Sequence, residues 1–512
     1  MEVSLKLSQI QTSDASSRLM GNDATVCHIT HDSREVKPGS LFVCLIGSTH
    51  DGHHHIAQAL ESGATGLVVH EGHAPHDLQL PDHVGCIVVA DTRTALPLFA
   101  CTLYGNPSHK LLMVGVTGTN GKTTSMRMVA EILRYAGYRV GTIGTLGSEV
   151  DGSPIESEHT TPEADQLQCI LHQMVELGAH AVVMEVSSHA LAQHRTAGIA
   201  FNGAIFTNIT QDHLDFHKTP EAYFEAKATL FSQYPVRYPR PDGSLFVASI
   251  NVSQWEGRDL VTLARGDVIT FSASTNTPAV VKASSLLLHA EQTSFTMHYD
   301  SGVEQFELPI VLPVGGAFQV SNALGAAAIT LRLGINREHI QKGLQNLPPV
   351  PGRFQSVDTG GRGFSVIVDY AHTPDGLENL LNSARALNPA RLICVFGCGG
   401  NRDRTKRPIM GKLAASLAEI AIVTSDNPRN EDPEFIVGEV LEGMQNASAE
   451  VFSMVDRHDA IFLAISMAKP GDIVLIAGKG HEDYQIVGDE VRHFDDREVA
   501  AEALSQLTGS SL

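Results

Sequence analysis

The segment that most limits what this chain can fold into is Gly118-Thr119-Asn120-Gly121-Lys122-Thr123-Thr124. It stands between the apolar run Leu111-Leu112-Met113-Val114-Gly115-Val116 and a helical pattern from Ser125 to Tyr135. An unbroken apolar run reads as a buried strand, and strand, glycine-rich turn and helix in that order make a phosphate loop. Backbone N–H groups and a helix N-terminus then converge on phosphate oxygens, with Lys122 expected at the β- and γ-phosphates and Thr123 at a magnesium ion. The usual nucleotide pattern has a glycine five residues before Gly121; here Val116 stands there, and the glycines are Gly115 and Gly118. A glycine-rich surface turn is the ordinary alternative, but the strand before it and the Lys-Thr-Thr after it favour a nucleotide site. The loop alone does not separate a ligase from a motor, a switch or a kinase.

Further apolar runs, Ala181-Val182-Val183-Met184 and Ala204-Ile205-Phe206, alternate with helical stretches and predict a mostly parallel sheet covered on both faces. A chain of 512 residues is too long for one core, and roughly 150 residues per domain suggests about three. Residues 1–108, with the runs Ser40 to Gly47 and Gly66 to Val69, read as a small α/β domain. Residues 109–350 hold the phosphate loop, and the prolines between Asn346 and Gly352 mark where this block ends. Residues 351–512 repeat the alternation, with strands near Ser365–Val368, Leu392–Phe396, Ala421–Val423 and Asp472–Ile476, and predict a Rossmann-like domain. The fold class expected is therefore α/β in three domains, the central one a doubly wound P-loop sheet.

The 57 acidic residues outnumber the 36 basic ones, and the net charge of -21 repels polyanions, which argues against a nucleic-acid partner. Seven cysteines, an odd number without paired metal spacing, point to a reducing compartment. The start, Met1 to Lys6, has no basic segment leading into an apolar core, and no apolar run is long enough for a membrane span, so a cytoplasmic protein is expected. The histidines His50, His53, His54, His55, His70, His73, His76 and His83 lack ligand spacing, and solvated or packing roles are expected rather than a metal domain.

The form Gly-Thr-Asn-Gly-Lys-Thr-Thr resembles the loop of the Mur ligase family, and the resemblance runs through all three blocks. It implies an ATP-dependent peptide ligase of cell-wall synthesis, a monomer acting on small-molecule substrates with ATP and Mg2+. The loop residues Gly118, Thr119, Asn120, Gly121, Lys122, Thr123 and Thr124, together with Asn322, Arg353 and Asp369, would contact ATP. Gln319 stands where an asparagine is usual. In the first block Asp32-Ser33-Arg34 looks like the family's uridine-nucleotide segment, so that Ser33 and Ser48-Thr49-His50 would touch the UDP substrate. In the second, Thr160, Thr161, Ser187, Gln193 and Arg195 match positions that hold the muramoyl peptide; hydroxyls suit sugar and phosphate oxygens, and a guanidinium suits an anion. Glu185 and Thr123 would hold magnesium, and His213 would assist a second site. Lys227 would be called an ordinary exposed helix lysine from its spacing. In similar ligases the matching lysine is carbamylated, which turns a cation into an oxygen ligand. Lys122, Lys227 and His213 are thus the expected catalytic residues.

Asp426-Asn427-Pro428-Arg429 follows the apolar strand ending Ile422-Val423, at the carboxyl end where open α/β sheets place ligands. Pro428 fixes the backbone and Arg429 offers a fork for a carboxylate. The resemblance is to ligases that add meso-diaminopimelate to UDP-N-acetylmuramoyl-L-alanyl-D-glutamate. That amino acid carries one carboxylate more than lysine, and a pocket arginine would select it. Arg402, Gly478 and Glu482 match the other amino-acid contacts. The rival expectations are a lysine-adding ligase of the same kind and a P-loop regulator that makes no bond.

Overall fold

A computed structural model describes residues 3–47, 50–73, 80–157, 159–210, 212–445 and 448–507. The first block is a five-stranded sheet in the order Arg18–Gly21, Gly85–Val89, Gly66–His70, Ser40–Val43, His28–Thr30; the first pair is antiparallel and the rest are parallel. Apart from Ser40 and His70 its central strands carry no polar side chain, because both faces are covered. Val43, Val68 and Ile87 meet Leu96 and Phe99 of the helix Thr92–Leu103, while Phe42, Leu67 and Val69 meet Ile56 and Ala59 of the helix Ile56–Glu61.

The second block is built on an eleven-stranded sheet. The runs Ala181–Glu185, Leu112–Thr117 and Gly203–Phe206 lie side by side in it, parallel, and the parallel register extends from Val140–Gly144 to Val281–Leu288. Both ends turn antiparallel, through Gly147–Val150 and Ser153–Ile155 on one side and Thr293–Asp300 and Gln305–Leu312 on the other. The mostly parallel sheet is there; the long antiparallel end is an addition to it. Its signature is period two: Thr293, Phe295, Met297 and Tyr299 are buried, and the residues between them are not.

The third block is a six-stranded sheet in the order Gln355–Val357, Ser365–Asp369, Ile473–Ala477, Leu392–Cys398, Ile420–Ser425, Glu450–Ser453, parallel except for its first pair. The Pro-rich stretch before it carries neither helix nor strand from Leu347 to Phe354. Phe318 of the second block and Phe354 pack edge to face at 5.7 Å across that joint. The loops that matter below leave the carboxyl ends of strands in both sheets. Among the described residues no helix is long and apolar enough to cross a membrane.

Candidate active site

The phosphate loop owes its shape to two glycines in the left-handed region, Gly118 at φ 147° and Gly121 at φ 83°. A Cβ at Gly118 would lie 1.9 Å from Thr207 Oγ1, and one at Gly121 would lie 2.3 Å from Asn322 Oδ1, so neither position accepts a side chain. Val116 still belongs to the strand Leu112–Thr117 and is fully buried, which explains why the glycine of the usual pattern is dispensable there: no turn begins at that point. The loop is braced from the neighbouring strand end. The N–H of Asn120 donates to Asn208 Oδ1 (2.9 Å), that of Thr119 to the carbonyl of Asn208 (2.9 Å), and Thr207 Oγ1 donates to the Asn120 carbonyl (2.6 Å).

Two lysines meet beneath this loop. Lys122 Nζ donates to the carbonyls of Gly118 (3.1 Å) and Thr119 (2.7 Å), and Lys227 Nζ, from the helix Pro220–Ser232, donates to the Gly118 carbonyl at 2.8 Å. Lys227 is 1% exposed, which corrects the exposed lysine that spacing alone suggests. Its Nζ sits 4.6 Å from the centre of the Tyr223 ring, whose hydroxyl bonds Thr119 Oγ1 at 3.0 Å. Burial, and then the charge of Lys122, hold the Lys227 amine well below the ordinary lysine range. Burial lowers Lys122 as well, against the pull of Glu185 and Asp212.

Glu185 ends its strand buried, accepting from the N–H (2.8 Å) and hydroxyl (3.2 Å) of Thr145. His213, at φ 54°, opens the short helix Leu214–His217 with Nε2 3.3 Å from Asp212 Oδ2 and its ring edge-on to His189 at 4.7 Å. Its side chain keeps 45% of its surface exposed, yet the cleft around it disfavours the imidazolium despite Asp212. Glu185 and Thr123 offer the oxygen donors a hard cation prefers; Lys227 as an amine does not.

The residues expected to face the UDP substrate fall into two clusters. Thr161 Oγ1 donates to the Glu185 carbonyl (3.0 Å) and accepts from the Ser187 N–H (3.2 Å), Ser187 caps the helix Ser188–Ala192, and Thr160 Oγ1 lies 3.3 Å from Thr145 Oγ1. Arg195 donates to the Thr161 carbonyl (3.0 Å) and to Gln193 Oε1 (3.0 Å). In the first block Ser33 bonds Gln58 at 3.1 Å and His50 is exposed, while Ser48 and Thr49 lie outside the described residues.

From the third block Arg353 stacks on Tyr370 (4.6 Å) and reaches Thr123 Oγ1 (3.3 Å). Asp369 accepts the N–H groups of Phe354 (2.7 Å) and Ala371 (2.9 Å), and burial raises its carboxyl above the usual range. Asn322 is held by Gln319 at 3.0 Å, so the glutamine that departs from the family pattern serves as its brace. Asp375 carries no sequence signal of its role. One of its oxygens accepts from Asn120 (2.6 Å), Thr210 (3.0 Å) and Asn379 (3.0 Å), tying the phosphate loop to the third block. After Thr373-Pro374 it reads as an ordinary acidic residue in a helix's first turn.

The crevice of the third block gathers loops from three strand ends. Asn427 Nδ2 donates to Glu482 Oε2 (2.9 Å), and Asn427 Oδ1 accepts from Lys479 Nζ (3.2 Å) and the Ile486 N–H (3.0 Å). Gly478, at φ 121°, leaves room for Asp426, whose Oδ2 would be 2.7 Å from a Cβ there. Burial, and then Asp426, raise Glu482. Arg429, left-handed at φ 52° after Pro428, donates to the Gly400 carbonyl at 2.9 Å, and exposed Arg402 lies beside it, both arginines bordering Gly399. Lys479, fully buried, was not singled out from the sequence, where it reads as part of a glycine turn.

Of the clustered histidines, His53 and His73 stack at 4.5 Å, and both face Asp51, at 2.6 and 3.4 Å. Nε2 of His53 already accepts the N–H of His70 (3.0 Å), which keeps its proton on Nδ1 against Asp51; a metal ion on Nδ1 would force the proton onto Nε2 and break that bond. His76 lies outside the described residues.

A phosphate loop reached by an arginine from a second Rossmann-like sheet defines a nucleotide-dependent α/β enzyme with its chemistry between two blocks. The sequence matches the Mur ligase family catalytic domain over residues 25–102, the Mur ligase middle domain over 116–330 and the Mur ligase glutamate ligase domain over 352–480. The chain belongs to the Mur ligase family. It is 44% identical over 487 residues, 95% of this chain and 96% of the relative, to a protein of Clostridium botulinum named UDP-N-acetylmuramoyl-L-alanyl-D-glutamate–2,6-diaminopimelate ligase. A Gloeobacter violaceus protein of the same name is 45% identical over 484 residues, covering 94% of this chain and 95% of its own. A solved structure of that name superposes with a TM-score of 0.68 at 30% identity, covering 99% of this chain and 100% of the other.

Proposed function

We infer that the chain joins meso-diaminopimelate to the D-glutamate of UDP-N-acetylmuramoyl-L-alanyl-D-glutamate at the expense of ATP, in peptidoglycan synthesis. The observation that carries this is identity above 40% along nearly the whole chain with ligases named for that reaction. In the reaction the γ-phosphoryl group of ATP passes to the D-glutamyl γ-carboxylate, ADP leaves, and an acyl phosphate forms. The amine then attacks the acyl carbon, and phosphate departs from the tetrahedral intermediate. Lys122 and the loop N–H groups stabilise the charge that builds on the transferring group, so no side-chain nucleophile is needed.

Gly118 to Thr124, Asn322, Arg353 and Asp369 would bind ATP. Ser33, Ser48, Thr49, His50, Thr160, Thr161, Ser187, Gln193 and Arg195 would hold the UDP substrate. Magnesium, supplying charge neutralisation at the phosphates, would sit on Thr123 and Glu185, with His213 and carbamylated Lys227 at a second site. Carbamylation needs a neutral amine to attack CO2, and the depressed Lys227 amine is what supports it. Glu482 pairs with the ammonium of the incoming amino acid, and Arg402 and Arg429, with Asp426, Asn427, Pro428 and Gly478 around them, take its carboxylates. With divisions at 108 and 350, the UDP-substrate residues come from the first two blocks, the ATP residues from the last two and the amino-acid residues from the third alone. Closure of the blocks would keep water from the acyl phosphate. The enzyme works as a cytoplasmic monomer on small molecules.

The test is phosphate release by the purified protein with the UDP-linked dipeptide and ATP, comparing meso-diaminopimelate, lysine and no amine. Release is expected with the first alone; equal rates with lysine would overturn the substrate, and release without any amine would favour a regulatory ATPase.

A further inference from the structure

Each nitrogen of Arg195 is engaged before any ligand arrives. Nε donates to Gln193 and Nη1 to the Thr161 carbonyl, and Nη2 lies 2.9 Å from Glu163 Oε1. The other oxygen of Glu163 meets Arg93 Nη1 at 3.0 Å. Arg93 stands in the first turn of the helix Thr92–Leu103 of the first block, and Glu163 directly precedes the helix Ala164–Glu176 of the second. One carboxylate, with 14% of its side chain exposed, therefore pairs with one guanidinium from each of two blocks. Within this trio two guanidiniums face one carboxylate, a pairing that suits a diphosphate or carboxylate ligand.

We propose that Glu163 is a positioning residue for the UDP-linked substrate: it aims Arg195 at the Thr161 segment and fixes, through Arg93, the spacing of the two blocks that share that substrate. This rests on the reading of Arg195 as a substrate contact. A carboxylate between two arginines aligns both forks at once, whereas a single ion pair would hold only one.

The test is steady-state kinetics of Glu163→Gln, which keeps the shape and loses the charge. The KM for the UDP-linked dipeptide is expected to rise about tenfold, with kcat and the KM values for ATP and diaminopimelate within about twofold. In an Arg195→Gln background the same change should add only the smaller rise that runs through Arg93, about twofold, because the rest of its effect runs through Arg195. Equal rises in all three KM values would mean that Glu163 only holds the joint together, and the proposal fails. A raised KM in Arg195→Gln beside an unmoved one in Glu163→Gln sinks the proposal alone. An unmoved KM in Arg195→Gln sinks the reading of Arg195, and the proposal with it. Should Glu163→Gln fail to fold, Arg93→Gln removes the other half of the bridge, and a smaller rise confined to the UDP substrate is expected.

Discussion

The phosphate loop and the crevice proposed to take the amino acid are both built at the carboxyl ends of parallel strands, and they are made of different material. The loop is one contiguous run whose polar groups are mostly main-chain, shaped by Gly118 and Gly121 and braced by Asn208 and Thr207. The crevice is made of side chains brought from residues 399–402, 426–429 and 478–482, which are far apart in the chain. In the proposed function, backbone N–H groups would read the phosphates common to every nucleotide, and side chains would read what distinguishes one amino acid from another. General chemistry is thus carried by the part that tolerates least change, and specificity by the part that can be exchanged residue by residue.

If that division is right, the largest effect should come from the loop and fall on the rate. Lys122→Ala removes the charge proposed to act on the transferring phosphoryl group and should lower kcat by about a thousandfold, read as phosphate release at saturating substrates. A rise in the KM for ATP with kcat preserved would place Lys122 in ground-state binding and break the contrast. The crevice should answer differently. Arg429→Ala should raise the KM for diaminopimelate by about tenfold to a hundredfold and leave that for ATP nearly unchanged, since a charge-assisted pair is lost on one substrate only. Parallel rises for both would remove Arg429 from the amino-acid site.

The same contrast explains what the sequence made legible. The loop could be found because seven adjacent residues carry it between a strand and a helix, and the parallel strands because each is an apolar run. Asp426 to Arg429 stood out for its position after a strand. Spacing reveals neither Lys227, which stands out only through the family resemblance, nor Asp375, because what matters about them is the partner: a carbonyl 109 residues away for one, and Asn120, 255 residues away, for the other. Glu163 likewise looks like a residue before a helix until Arg93 and Arg195 are seen on either side of it. The antiparallel strand Thr293–Asp300 did carry a readable alternation, yet its mix of Thr, Ser, His and Tyr lacks the apolar run that marks the buried strands.

A subtler difference between the regions is pH. Burial and Asp426 raise the Glu482 carboxyl, so on acidification it takes up a proton at a pH where an ordinary glutamate is still ionised. Only the ionised form pairs with an ammonium. The KM for diaminopimelate should therefore climb severalfold on the acid side, beginning above the usual glutamate range, while the KM for ATP stays level. In Glu482→Gln that acid limb should vanish and the KM be high at every pH. An acid limb that survives the substitution would assign the titration to another group.

The smallest effect expected is at the seam between the two regions. Asp375 puts a carboxylate on Asn120, inside the loop that would receive a triphosphate, and also on Thr210. Asp375→Asn keeps an acceptor oxygen but removes the negative charge, so two consequences oppose each other: weaker anchoring of the third block to the loop, and less repulsion of ATP. Asp375 is partly buried, and at low salt the charge should dominate because its field is poorly screened; the KM for ATP should fall about twofold, and the gain should shrink as ionic strength rises. A rise in KM that ignores salt would show that anchoring outweighs charge, and that the loop depends on the third block for its shape as well as for its substrate.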